Sequence, residues 1–248
     1  MLVLLPPSET KSAPTRGRVL NLSSLSFPDL TAARVTVLAA LVRASGAADA
    51  HTVLGVPASR HAEVARNVTL PIAPTAPAGE IYQGVLYDAL DLRSLDAASR
   101  RRANRRLVIA SALFGAVRLT DRIPAYRLSM AVSLPGTGPL AGHWRDPLGQ
   151  LLPTAAGSGL IVDTRSSTYA AAWTPSGDLV SRWVHIRVPG ATHMAKHTRG
   201  LVARAVCEMT AAPRTVTALA TALGGSFSVV DLTPPAKPGK PWLLDVTA

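Results

Sequence analysis

Cysteine is almost missing from this 248-residue sequence, since Cys207 is its only one. One cysteine makes no internal disulfide and offers no thiolate cluster to a metal ion. The protein therefore fits a reducing cytoplasm better than an oxidising compartment. Cys207 itself lies in an apolar helical pattern, and we predict that it is a core residue.

Long apolar segments are also lacking, because no run approaches the ~20 residues that a membrane-spanning helix requires. The first residues, MLVLLPPSETK, carry no basic region ahead of the apolar stretch and are interrupted by Pro6 and Pro7. These features indicate a first β-strand rather than a signal peptide. We expect no membrane partner.

Several functional motifs are missing as well. The sequence has no GxxxxGK phosphate loop and no GxGxxG turn after a strand, and no nucleophile elbow marks a Ser-His-Asp triad. Its six histidines lack zincin spacing. His193 and His197 are four residues apart, but no Glu or Cys completes a ligand pattern beside them. We therefore expect no metal site and no cofactor.

Acidic residues are few, because 15 Asp and Glu stand against 26 Lys and Arg, which gives a formal charge of +11. Such an excess favours polyanionic partners, either nucleic acid or a phosphorylated small molecule. The alternative is that an arginine-rich genome sets the composition, with no consequence for binding.

Residues 94–106 predict a basic helix, with Ser94 as a candidate cap. Its charge also has two interpretations. The helix is either solvated on its charged face or a phosphate-contacting stripe. Its basic residues are Arg100, Arg101, Arg102, Arg105 and Arg106.

Apolar segments at residues 2–5, 107–110 and 160–162 predict three buried strands. Alternation at 182–188 predicts another. Helical spacing predicts helices at 28–44, with Asp29 as a cap, and at 215–223. We predict an α/β fold, a mixed β-sheet with surrounding helices, in a single domain of residues 1–248. The C-terminal segment supplies one more edge strand or stays loose.

Polar residues crowd the exits of the three apolar strands, which is where α/β proteins form ligand sites. Ser8 and Lys11 follow the first strand, and Ser166, Ser167 and Tyr169 follow the third. The second exit is the richest, and a proline at 124 stiffens its turn. It contains Ser111, Arg118, Asp121, Tyr126 and Arg127.

We predict that the basic side chains near these exits bind an anionic group. The set is Lys11, Arg118, Arg127, Lys196 and Arg199. Asp121 would orient one of the arginines, and Tyr126 or a serine hydroxyl, Ser8 or Ser111, would transfer protons. The alternative is a solvated turn in which Arg118 and Asp121 form a surface pair.

Residues 47–68 contain two helical patterns around the turn LGVP. One interpretation is a helix-hairpin-helix insertion, whose backbone amides bind DNA phosphates without reading sequence. The other is a helix-turn-helix that only packs, because Gly55 is the one glycine of the turn and Pro57 lacks an N–H donor.

The order of these segments resembles that of the YaaA family of bacterial peroxide stress proteins. MLVLLPPSETK is similar to the family's first strand and Ser-Pro-Ala-Lys-Thr sequence, and Tyr82 and Gly84 match its next tyrosine and glycine. Residues 111–130, SALFGAVRLTDRIPAYRLSM, resemble the signature Ser-Gly-Leu-Tyr-Gly, Arg-Pro-x-Asp and Pro-Tyr-Arg-Leu-Glu-Met. Trp144, SSTY at 166–169 and AKHTRG at 195–200 complete the order, whereas Leu119, Ser129 and His197 depart from it.

This resemblance implies the family's α/β fold, a positively charged cleft, DNA binding through a helix-hairpin-helix element, and a role in limiting oxidative damage by unincorporated iron. An alternative is an enzyme that acts on a phosphorylated or purine-like small molecule in the same cleft. With the strand exits, the resemblance gives one predicted set of ligand-binding or DNA-binding residues. It is Lys11, Tyr82, Arg118, Arg127, Ser166, Ser167, Tyr169, Lys196 and Arg199.

Overall fold

The computed structural model describes residues 1–190 and 194–247. Within these ranges the chain forms one seven-stranded mixed sheet, two small two-stranded sheets and ten α-helices. The predicted α/β class is therefore confirmed. No helix in the described ranges has both the length and the apolar character needed to cross a membrane.

The strands are β1 (Leu2–Leu5), β2 (Ala76–Pro77), β3 (Leu107–Ser111), β4 (Gly115–Val117), β5 (Arg122–Ile123), β6 (Ser133–Leu134), β7 (Gly138–Pro139), β8 (Ile161–Asp163), β9 (Trp183–Arg187), β10 (Val229–Thr233) and β11 (Trp242–Thr247). The α-helices are α1 (Thr31–Ser45), α2 (Ala50–Leu54), α3 (His61–Arg66), α4 (Ala78–Ile81), α5 (Val85–Leu90), α6 (Ala97–Arg106), α7 (Leu140–Ala156), α8 (Ser167–Ala170), α9 (Met194–Glu208) and α10 (Val216–Gly224). Short 3-10 turns occur at Leu22–Ser24, Pro28–Leu30, Ala58–Arg60, Asn67–Ile72 and Gly177–Arg182.

The large sheet has the strand order β10-β11-β9-β8-β1-β3-β4. β1 is parallel to both of its neighbours, with Val3 opposite Leu107 on β3 and opposite Val162 on β8. Every residue of β1 and β3 is buried, as expected for strands covered on both faces. The three strands predicted from apolar runs are therefore adjacent, and their carboxyl ends meet at one edge of the sheet.

The C-terminal segment differs from the prediction of an edge strand. β11 lies inside the sheet, parallel to β9 on one side and antiparallel to β10 on the other, so β10 is the edge strand. The physical reason is the alternation in β11, where Leu244 and Val246 are fully buried. An edge position would expose more of this apolar surface.

Both predicted helix caps are also wrong. α1 begins at Thr31, after a 3-10 turn in which the side chain of Asp29 makes no capping hydrogen bond. The cap of α6 is Asp96, whose carboxylate accepts hydrogen bonds from two N–H groups of the first turn. Ser94 lies too early and donates to the carbonyl of Asp91 instead.

The arginine run on α6 serves two purposes. Arg102 donates to the carbonyls of Cys207 and Glu208, and Arg106 donates to those of two neighbouring residues, so both satisfy the C-terminus of α9. Arg100, Arg101 and Arg105 are exposed. Three of the five arginines of the predicted charged face are therefore in contact with solvent. Cys207 is buried, as predicted.

Gly115 and Trp144 are in unusually close contact at the start of β4. The indole N–H of Trp144 donates to the carbonyl of Ala112, and the ring lies flat against Gly115. A Cβ at position 115 would lie 2.6 Å from the ring, and Gly115 has a φ of +72°. Both facts require glycine at this position.

Gly115→Ala should therefore destabilise the fold by about 2–4 kcal/mol, through backbone strain together with overpacking. The matched control is Gly136→Ala, where φ is +78° but nothing lies within 4 Å of the added Cβ. This control should lose only about 1 kcal/mol, because it carries the strain alone. Urea denaturation gives both values, and equal losses would show that the contact with Trp144 has no energetic weight.

Candidate functional site

Five residues form a cluster where β1 and β3 end, which we call the strand-exit cluster: Lys11, Tyr82, Ser111, Tyr126 and Arg127. The backbone of Lys11 pairs with that of Tyr82 in an isolated antiparallel bridge. The N–H of Ser12 donates to the carbonyl of Ile81 at 2.8 Å beside it. This pairing fixes the loop after β1 against the segment between α4 and α5.

The ammonium group of Lys11 lies over aromatic faces rather than against a carboxylate. Its Nζ is 4.4 Å from the ring centroid of Tyr126 and 5.5 Å from that of Tyr82, and it donates to the carbonyl of Ser8 at 2.6 Å. Burial lowers the pKa of Lys11 to about 7, the charge of Arg127 acts in the same direction, and Glu9 and Glu63 oppose it. A large fraction of Lys11 is therefore a neutral amine near neutral pH.

Three buried hydroxyl groups form a chain beneath Lys11. The hydroxyl of Tyr126 lies 2.9 Å from that of Tyr82 and 2.8 Å from Oγ of Ser111, and the N–H of Phe114 donates to Ser111. Burial raises the pKa of both tyrosines well above the usual range. Both hydroxyls thus stay protonated and act as hydrogen-bond donors.

Arg127 connects the cluster to residues 50–72. Its backbone N–H and carbonyl both bind the side chain of Asn67 at 2.8 Å, directly after α3. Its guanidinium pairs with Glu63 at 3.3 Å and with Glu9 at 3.2 Å. An anion that binds Arg127 must compete with these two carboxylates.

The remaining residues of the first and third exits lie around the cluster. Burial raises the pKa of Tyr169, with Tyr126 adding to this shift and Arg127 opposing it, which places Tyr169 near both. Ser166 and Ser167 are exposed at the start of α8. Ser8 is half-buried, and its hydroxyl would contact a Cβ at Gly84, where φ is +100°.

Arg118 and Asp121 lie at the other end of β3, which contradicts the predicted convergence. Arg118 donates to the carbonyl of Arg105 and packs on the ring of Phe27. Asp121 accepts hydrogen bonds from the N–H and hydroxyl of Ser26 and from the N–H of Arg118. The reason is the antiparallel return of β4, which carries the chain back to the amino end of β3. These two residues hold a loop at that end of the sheet.

The two predicted ligand-binding residues of α9 differ from each other. Lys196 is exposed, whereas Arg199 is half-buried and donates to the carbonyl of Ile186. Burial lowers the pKa of Arg199, and the nearby charge of Asp163 opposes this. No contact found in the described ranges joins either residue to Lys11 or Arg127. His193 lies outside the described residues.

The strand-exit cluster contains partners that the sequence did not reveal. Glu9, Glu63 and Asn67 were not predicted, although each bonds to Arg127.

Two further features lie outside the strand-exit cluster. Asp163, the last residue of β8, forms a buried ion pair with Arg165 at 2.7 Å, and the indole of Trp183 donates to the same carboxylate. A cavity of about 460 Å³ lies elsewhere, between α7 and the loop after α8.

Comparison with known proteins gives the family. A family model described as peroxide stress protein YaaA matches residues 1–229. This chain belongs to the YaaA family. A UPF0246 protein of Streptomyces coelicolor is 51% identical over 99% of this chain and 98% of its own length. A UPF0246 protein of Corynebacterium efficiens is 41% identical over 82% of this chain and 84% of its own. One from Corynebacterium glutamicum is 39% identical with the same coverage.

The YaaA motifs now divide by position in the structure. Lys11, Tyr82, Ser111, Tyr126 and Arg127 come from three separate motifs and meet in the strand-exit cluster. Two other pairs of motif residues pack or hydrogen-bond together away from this cluster. These are Gly115 with Trp144 and Arg118 with Asp121. The residues that carry the resemblance therefore fall into two groups, those of the compact strand-exit cluster and those that make structural contacts elsewhere.

Tyr126→Phe should destabilise the fold by about 1–3 kcal/mol, because the buried hydroxyl of Tyr82 loses its partner. The double variant Tyr82→Phe, Tyr126→Phe should recover part of this loss, since that unpaired hydroxyl is then removed as well. Urea denaturation of the three variants completes the cycle. Strictly additive losses would show that the two hydroxyls are not coupled.

Lys11→Met should change the pH dependence of stability. The pKa of Lys11 falls from its ordinary value of 10.5 to about 7 on folding, so the unfolded chain binds more protons between these values. The stability of the wild type relative to Lys11→Met should therefore rise from pH 7 towards pH 10, and should be constant below pH 7. Urea denaturation at several pH values measures the difference. If the difference in stability between the two proteins does not vary with pH, the pKa of Lys11 is not lowered on folding.

Proposed function

We propose that this YaaA-family protein acts in the cytoplasm during peroxide stress by binding DNA through a positively charged cleft, and that it limits iron-linked oxidative damage. Three observations support the proposal: the family model, the formal charge of +11 and the position of Arg127. The position of Arg127 is the decisive observation, because Arg127 joins two candidate phosphate-binding elements.

The first element is the pair of short helices α2 and α3. The turn between them contains Gly55 in a left-handed conformation, with φ at +60°, and nothing lies within 4 Å of where a Cβ would be. His51 bonds to the carbonyl of Val56 and stacks on His61, which holds the turn closed. An exposed turn of this kind suits contact with a sugar-phosphate backbone, which needs no base-specific side chains.

The second element is the strand-exit cluster, and Arg127 belongs to both. Asn67 and Glu63 attach Arg127 to the α2–α3 segment, while its charge acts on Lys11. Arg127 therefore joins the two elements and is a cation at their junction. Phosphate groups along a strand repeat at short intervals, so two joined elements suit a polymer better than two separate sites.

A phosphorylated or purine-like small molecule is the second candidate ligand, and the compactness of the cluster supports it. Lys11 and Arg127 lie at one short stretch of the chain's surface, where a single phosphate would meet two cationic donors, and the buried hydroxyl chain holds the ring of Tyr126 beneath Lys11. The protein would then act as an enzyme on that molecule. Its ligand would bind with weak salt dependence, because only one or two phosphates are neutralised.

The test of DNA binding is fluorescence anisotropy with labelled duplex and bubble DNA at ~50 mM salt and above. Affinity should fall steeply as salt increases, because phosphate contacts release counterions. Arg127→Ala should weaken binding about tenfold or more, since a partly desolvated charge-assisted contact contributes ~1.5–3 kcal/mol.

The matched control is Arg101→Ala, which removes the same charge from an exposed site on α6. It should change the affinity much less than Arg127→Ala does. Equal losses would mean that the basic surface acts as a diffuse field. No association of the wild type at ~50 mM salt would remove the support for DNA binding.

A further inference from the structure

Lys11 differs from the other three lysines of the chain in its surroundings. Lys196, Lys237 and Lys240 are exposed, whereas Lys11 is half-buried against two tyrosine rings. No carboxylate within 4 Å pairs with Lys11 in the described ranges, and its polar contacts are the carbonyls of Ser8 and Glu9. A lysine held this way, beside an arginine, has the features of an amine nucleophile rather than of a structural cation.

We propose that Lys11 forms an imine with a phosphorylated sugar aldehyde. The aldehyde is either the open-chain deoxyribose of an abasic site in DNA or free 2-deoxyribose 5-phosphate. The DNA form rests on the proposed DNA binding, whereas the free sugar phosphate does not. Arg127 binds the phosphate, and Lys11 attacks the aldehyde carbon.

The position of Arg127 explains why the proposed aldehyde also carries a phosphate. Glu9 links the two side chains, because its carboxylate pairs with Arg127 at 3.2 Å and its carbonyl lies 3.5 Å from Nζ of Lys11. A phosphate bound to Arg127 therefore brings an attached aldehyde near the amine. That phosphate displaces Glu9 and Glu63 from the guanidinium. The two carboxylates, whose charges also act on Lys11, are then available to carry a proton.

The bond changes balance with one proton from solvent as the only further reactant. The lone pair of the neutral amine attacks the carbonyl carbon, and a C–N bond forms as the C=O π electrons move to oxygen. A proton passes from nitrogen to that oxygen through Glu9 or Glu63, which gives a neutral carbinolamine. Its hydroxyl takes up a second proton, drawn from solvent through the same carboxyl group, and leaves as water while the nitrogen lone pair forms the C=N bond. The product is a cationic protonated imine, and the ring face of Tyr126 stabilises it as it does the ammonium form.

The lowered pKa of Lys11 supports this role, because only the neutral amine can attack. The α-amino group of Met1 also has a lowered pKa, caused mainly by burial. Met1 precedes β1 and therefore lies at the opposite end of the sheet from the cluster. It is thus an internal control for amine reactivity without the phosphate-binding arginine.

The experiment is trapping with sodium cyanoborohydride at pH 7, which reduces an imine to a stable secondary amine. The full-length protein is incubated either with a duplex that contains one abasic site or with free 2-deoxyribose 5-phosphate. Peptide mass spectrometry then locates the adduct among the four lysines and the amino terminus. We expect one adduct, on Lys11, in at least one of the two arms.

Two matched variants test the nucleophile. Lys11→Arg keeps a basic side chain but removes the reactive amine, so it should lower the adduct yield at least about tenfold. Lys240→Arg makes the same change at an exposed lysine and should leave the yield unchanged. Inorganic phosphate should compete in both arms, because it occupies Arg127.

The outcomes distinguish this inference from the proposed function. An adduct on Lys11 from the free sugar phosphate without any DNA binding supports the inference and removes the proposed DNA binding. DNA binding without an adduct overturns the inference and leaves the proposed function intact. Adducts on Met1 or Lys240 as abundant as on Lys11 also overturn it, because the amine would then have no special reactivity.

Discussion

β1 is hydrogen-bonded to parallel strands on both sides, and the other features of the structure depend on this constraint. Parallel neighbours require long crossovers, since the chain must return to the same end of the sheet before each strand. The crossover from β1 to β3 contains α1 to α6. It carries Glu63, Asn67 and Tyr82 to the carboxyl edge, where they meet Lys11. The site is therefore assembled from residues that lie far apart in the chain.

The two cations of the strand-exit cluster have opposite electrostatic settings. Lys11 is half-buried and has no carboxylate within 4 Å among the residues that the structure describes, so its charge is unfavourable and its pKa falls. Arg127 has a side chain only 18% exposed but pairs with two carboxylates, one of which, Glu9, is 85% exposed. The pair with an exposed carboxylate contributes little, since a surface ion pair is weak, and another anion can replace it at small cost. In the proposed reaction, Lys11 is the amine nucleophile and Arg127 binds the anion.

The sequence predicted the strands well because three of them are continuous apolar runs, a pattern typical of buried parallel strands. The fold class predicted that these strands end at one edge of the sheet, and this prediction correctly placed Lys11, Ser111 and Tyr126 together. It failed for Arg118 and Asp121 because the three-residue strand β4 reverses the chain after Phe114, and so short a strand leaves no periodic signal. Sequence spacing cannot reveal Asn67, since its bond to Arg127 depends on how a crossover of about a hundred residues folds back.

Arg102 binds two backbone carbonyls at the end of α9 through two different nitrogens, Nε and Nη2, and Arg106 binds two more through Nη1. Arg34, fully buried, likewise donates to three carbonyls from the loop before α1 and from the start of β4. A lysine presents a single nitrogen and cannot reproduce such a fork. The shortage of lysine, with four among 26 basic residues, is thus partly an architectural requirement. Part of the positive charge therefore belongs to guanidinium groups whose N–H donors are already bonded to backbone carbonyls, so fewer arginines than the composition suggests are available to bind phosphate oxygens.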